Sequence, residues 1–151
     1  MESKNPVDAI LDFAIEREDE SYKFYTDLSH LVEKPEMREV FERFAKEEKG
    51  HKEKLLGIKR GKLLLPSAKK VTDLKIAEYV VDAQMSPDMD YQQALIVAMK
   101  KEKASFRLYT NLAATVDDAN LSEVFQALAQ EEAKHKLRFE IEYDDNILSD
   151  N

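Results

Sequence analysis

The chain has 151 residues, 36% of them charged and 43% apolar, with a formal charge of −8. That length suits one domain spanning 1–151. The acidic balance argues against a nucleic-acid binder, and the lack of cysteine excludes disulfides, zinc-thiolate sites and iron–sulfur clusters, so any metal must take nitrogen and oxygen ligands.

Only three Gly and four Pro interrupt the sequence, which predicts an all-α fold. No stretch approaches the ~20 apolar residues of a membrane span, and the first residues lack a leader pattern, so a cytoplasmic protein with no membrane contact is expected. Asn5 and Pro6 read as an N-cap and first helical position, and the apolar pattern runs on through Phe13 and Tyr25 to about residue 31. This is the first predicted helix. The second begins at Pro35 and runs through Phe41 and Leu55 to Ile58, with Gly61 as its stop. The short link makes the pair antiparallel. Residues 62–90 form a longer connection containing Pro66, a short predicted helix over 72–82 and the Ser86-Pro87 break, long enough to cross a bundle. A third helix is predicted over 91–114, a turn over 116–120, a fourth helix over 121–143 and a flexible tail over 144–151.

A fixed offset of 84 residues, the separation of Glu18 and Glu102, superimposes the first helix pair on the second. Along the first helix the core-facing seam reads Val7, Leu11, Ala14, Glu18, Ser21, Tyr25, Leu28, and along the third Tyr91, Leu95, Ala98, Glu102, Ser105, Tyr109, Leu112. Six of these seven positions are identical. Met37, Phe41, Phe44, Glu48, His51 and Leu55 likewise align with Leu121, Phe125, Leu128, Glu132, His135 and Phe139.

Each helix thus puts one glutamate on its seam, and the second and fourth add a histidine one turn on, on the same face. Six candidate ligands point inward: Glu18, Glu48, His51, Glu102, Glu132 and His135. A single helical glutamate is ordinarily solvated, but a solvated one needs no fixed spacing from tyrosine, whereas Glu18 to Tyr25 and Glu102 to Tyr109 share both seam and interval. Four buried carboxylates would repel one another, and a pair of divalent cations with two imidazoles neutralises them. His30 has no partner in the repeat and reads as a surface residue, while Glu16, Glu20, Glu47 and Glu131 fall off the seam and read as solvated or as supports to the ligands.

The segments AIEREDESYKFY, FAKEEKGH, AMKKEKASFRLY and LAQEEAKH together resemble the ferritin-like superfamily, in particular rubrerythrin-type di-iron carboxylate proteins. The resemblance implies a four-helix bundle of two repeated helix pairs joined by a long crossover. It implies two iron ions, with manganese or zinc as alternatives, Glu18 and Glu102 as terminal ligands, Glu48 and Glu132 as bridges, and His51 and His135 each on one metal. Tyr25 and Tyr109 would assist catalysis by hydrogen-bonding to ligand carboxylates.

Two departures bear on function. Rubrerythrins carry an extra glutamate where this chain has Ser105, and a cysteine-ligated rubredoxin domain that a chain without cysteine cannot form. The resemblance therefore implies an oxidoreductase that reduces hydrogen peroxide or dioxygen with electrons from a separate donor such as a rubredoxin-like protein, working as a homodimer. One alternative is Fe(II) binding and oxidation as a ferroxidase, although storage cages extend further past the fourth helix. Another is a non-enzymatic helical module that holds zinc or no metal.

Overall fold

A computed structural model describes residues 6–61 and 89–149. They form four helices, α1 (Pro6–Leu31), α2 (Pro35–Gly61), α3 (Tyr91–Thr115) and α4 (Ala119–Ser149), with no strand among the described residues. The architecture is an all-α, ferritin-like four-helix bundle. The expected short helix over 72–82 lies outside the described residues, as does the connection around it up to residue 88. No described helix is long and apolar enough to cross a membrane.

Local chemistry explains the helix ends. Pro35 opens α2, where its missing N–H has no helical partner to lose, and the Lys34 carbonyl accepts from Met37 N at 3.1 Å and Arg38 N at 3.0 Å. Asp90 caps α3 reciprocally: its carboxylate accepts from Gln93 N at 2.7 Å while the Gln93 side chain accepts from Asp90 N at 3.0 Å. The start of α4 differs from the sequence expectation. It begins at Ala119 rather than Leu121 because Asp118 caps it, accepting from Leu121 N at 2.9 Å. It also continues to Ser149, so residues 144–149 extend the helix where a flexible tail is expected. No glycine or proline occurs from Ala119 to Ser149 to stop it.

Three-residue links, 32–34 and 116–118, make α1/α2 and α3/α4 antiparallel pairs. Their seams build two apolar layers. One contains Leu11, Leu55, Leu112 and Phe125, and the other Leu28, Phe41, Leu95 and Phe139. α1 and α4 run from the first layer to the second and α2 and α3 run back, so α2 ends at the opposite end of the bundle from the start of α3. Each fully buried Leu or Phe stabilises the fold by about 1.5–3 kcal/mol, and this offsets the burial of the polar layer between them. That layer holds Glu18, Glu48, His51, Glu102, Glu132 and His135, all buried.

Candidate metal centre

All six sequence-predicted ligands meet in this layer, because the four seams reach the same height in the bundle at their glutamates. Two groups of four could each hold a metal ion: Glu18, Glu48, His51 and Glu132, and Glu48, Glu102, Glu132 and His135, with one ligand atom from each residue lying within 4.8 Å of the others. Glu48 and Glu132 belong to both groups. His51 Nδ1 lies 2.8 Å from Glu132 Oε1 and 3.5 Å from Glu18 Oε2, and His135 Nδ1 lies 2.9 Å from Glu48 Oε1 and 3.6 Å from Glu102 Oε2. The sequence repeat thus becomes a repeat in space. The two imidazoles stand 6.4 Å apart and nearly parallel.

The supporting hydrogen bonds cross the bundle. Tyr25 Oη donates to Glu102 Oε1, and Tyr109 Oη donates to Glu18 Oε1, leaving the Oε2 of each carboxylate turned to the centre. Glu47 Oε2 accepts from His135 Nε2 at 2.5 Å, and Glu131 Oε2 accepts from His51 Nε2. A carboxylate on Nε2 places the ring proton there and leaves the Nδ1 lone pair facing inward, the tautomer a metal ligand needs. Sequence position alone leaves open whether Glu47 and Glu131 are solvated or supporting. Each proves to hold the histidine of the opposite helix. The signal available beforehand was the doubling Glu47-Glu48 and Glu131-Glu132, repeated at the same offset. Glu16 remains exposed, Glu20 pairs with Arg17 at 2.8 Å, and His30 is exposed at the end of α1.

Eight polar atoms of this layer are buried without a hydrogen-bond partner: Glu18 Oε2, Glu102 Oε2, both carboxylate oxygens of Glu48 and of Glu132, and Nδ1 of His51 and His135. Several approach one another closely without a hydrogen bond between them, His51 Nδ1 and Glu132 Oε1 at 2.8 Å and His135 Nδ1 and Glu48 Oε1 at 2.9 Å. Orphaned buried groups of this kind are rare and strongly unfavourable, and cations placed among these eight O and N atoms satisfy them together. Burial, and then the neighbouring carboxylates, hold Glu48 and Glu132 well above the usual carboxyl range. Burial opposes charge on His51, but the nearness of Glu132 and Glu18 outweighs it and pushes His51 up to about 11. Without metal, protons do the work of cations.

Residues 9–143 match the rubrerythrin family. The chain belongs to that family. No curated protein and no solved structure matches it significantly. The match covers nearly all of the described helices, and this rubrerythrin-family cluster of buried carboxylates and histidines fits a di-iron site.

Glu47→Ala and Glu131→Ala are each expected to weaken metal binding roughly ten- to a hundredfold, because the freed imidazole loses its tautomer and orientation. Chelator competition measures this. Affinity equal to wild type in both variants would remove these glutamates from the centre.

Proposed function

We propose that the protein is a di-iron oxidoreductase that reduces hydrogen peroxide to water, taking its electrons from a separate redox protein of rubredoxin-like chemistry. The observation that carries this reading is the set of eight orphaned donor atoms disposed about two shared carboxylates. When bound, a ferrous pair supplies the two electrons that cleaving the O–O bond requires. The chain's own residues do the rest. Glu48 and Glu132 would be the ligands common to both ions, Glu18 and Glu102 would each serve one, and His51 and His135 are held to their inward-facing tautomer by Glu131 and Glu47. Burial, together with the nearby carboxylates of Glu102 and Glu18, keeps the Tyr25 and Tyr109 hydroxyls protonated far above neutral pH. They therefore act as hydrogen-bond donors that orient carboxylates and keep a proton beside the reacting centre. The two apolar layers exclude bulk water from it.

The test is stopped-flow mixing of anaerobic ferrous protein with hydrogen peroxide and, separately, with dioxygen. Peroxide is expected to react faster. The double variant Tyr25→Phe, Tyr109→Phe is expected to keep its metal and turn over roughly tenfold more slowly or worse. Faster reaction with dioxygen, accompanied by uptake of many irons per chain, would replace this reading with a ferroxidase. Inertness towards both oxidants in verified iron-loaded protein would end the redox reading.

A further inference from the structure

The two sides of the centre differ in how they meet solvent. On the α2/α4 side a depression bordered by Arg43, Lys134 and Arg138 reaches His135. There the way inward is blocked: Phe44 stacks on the imidazole at 3.9 Å, and Glu47 occupies Nε2. The metal-facing Nδ1 is on the far side of the ring.

On the α1/α3 side a small cavity is lined by Arg17, Glu20, Ser21, Lys101 and Ser105 together with the apolar Ala104 and Leu108. Ser21 lies on the seam between Glu18 and Tyr25, and Ser105 lies at the equivalent place between Glu102 and Tyr109. Both serines and Lys101 are at least nine-tenths buried, at 4%, 8% and 9% exposure. Among the described residues neither serine hydroxyl has a hydrogen-bond partner. Arg17 adds a buried Nε–H with no acceptor, while its terminal nitrogen is held by Glu20 at 2.8 Å. Lys101 closes the wall with its ammonium over the Phe24 ring, 5.6 Å from the centroid. Three unused hydrogen-bonding groups thus face a space that gives about 10 Å³ to the centre of a water-sized molecule. That is room for roughly one such molecule.

We propose that this α1/α3 cavity is the entry chamber to the metal centre, and that its hydrogen-bonding groups hold hydrogen peroxide while its size rejects alkyl hydroperoxides. The inference rests on the peroxide-reducing reading above and deepens it. Hydrogen peroxide has two heavy atoms, each able to donate and accept, so it can hydrogen-bond to the Ser21 and Ser105 hydroxyls and accept from Arg17 Nε. An alkyl hydroperoxide carries a hydrocarbon group for which a chamber of this size has no room. Dioxygen fits by size but gains little from these donors.

The experiment compares iron-loaded wild type with Ser21→Leu, Ser105→Leu and, as a control on the other face, with Lys134→Leu. Iron content is measured first, then the rates with hydrogen peroxide and cumene hydroperoxide, and the optical uptake of nitric oxide by the ferrous protein. Wild type is expected to prefer hydrogen peroxide by roughly a hundredfold, and the leucine pair to slow both peroxide and nitric oxide by roughly tenfold at unchanged iron content. Lys134→Leu should change neither. If the leucine pair does not fold, Ser105→Val is measured in the same way, with a smaller slowing in the same direction expected. The proposal is overturned if iron-loaded chamber variants keep wild-type nitric oxide uptake, if Lys134→Leu is the slow one, or if cumene hydroperoxide reacts as fast as hydrogen peroxide. Should iron-loaded wild type reduce no oxidant at all, the peroxide reading fails while nitric oxide uptake still decides the chamber.

Discussion

Replacing Glu132 or Glu48 with glutamine is expected to empty both halves of the centre, whereas Glu18→Gln or Glu102→Gln should disturb mainly one. The asymmetry follows from membership: Glu48 and Glu132 are in both four-residue groups, Glu18 only in the group with His51, and Glu102 only in the group with His135. Losing a shared carboxylate also removes the neighbour of an inward Nδ1, since Glu132 Oε1 is 2.8 Å from His51 and Glu48 Oε1 is 2.9 Å from His135. Removing a group that only supports a ligand weakens binding roughly ten- to a hundredfold, so removing a ligand common to both cations should exceed that. Metal analysis after equilibrium dialysis gives the count. Wild type should hold about two metals per chain, as the duplicated ligand set of this bundle class does. Glu16→Gln, at an exposed position, should match wild type. Equal losses from Glu16→Gln and Glu132→Gln would mean that the seam register is wrong.

The second large effect is a reversal in how stability depends on pH. In the metal-free protein Glu48 and Glu132 titrate above their ordinary value of 4.5, and His51 is raised from 6.5 to about 11. Burial opposes charge on Glu102, but its contacts with Glu132 and His135 outweigh this and hold it below 4.5, so it works the other way only on the acid side. Above about pH 5 the raised groups leave the native state with more protons than the unfolded chain, and its stability falls as pH rises. The Glu48 and Glu132 contributions are intact below 4.5 and decline above it, while that of His51 is intact below 6.5 and is lost as pH rises through about 11. The metal-bound protein should behave oppositely over the acid side of this range, because its ligands must be deprotonated and protons compete with metal. At a thousandfold excess over Kd a bound ligand adds about 4 kcal/mol, which for a domain of this size is a shift of roughly 10 °C in melting temperature. Thermal melts from about pH 5 to 9, with and without chelator, should give two curves that diverge as pH rises. Glu48→Gln combined with Glu132→Gln should stabilise the metal-free form by about 1–4 kcal/mol and flatten its slope, since neutral amides need no cation. Metal-free protein that gains stability with rising pH would contradict the burial of these charges.

The fold and the six inward residues were legible because both follow from periodicity along single helices. A residue three or four positions from another shares its face whatever the helix packs against. The sequence also carries local signals for the helix ends. Asp90 and Gln93 spell a capping pair, and Asp118 stands where an N-cap would lengthen the fourth helix to Ala119. α4 continues to Ser149 because residues 144–149 contain nothing to break a helix.

Partnerships across the bundle were not legible. Tyr25 follows Glu18 by two turns on one seam, but two turns are about 10 Å along the axis, and Tyr25 bonds instead to Glu102 on α3. The same holds for Glu47, which could be assigned to His51 one turn on in its own helix but instead holds His135. The sequence by itself determined that four helices carry a doubled pattern of glutamate, histidine and tyrosine on their buried faces, because helical periodicity and sequence repetition are one-dimensional. Only the tertiary structure decided which carboxylates are shared, which tyrosine meets which glutamate and which face leaves a water-sized opening. Those depend on the relative height and rotation of helices far apart in the chain, set by how the two apolar layers pack.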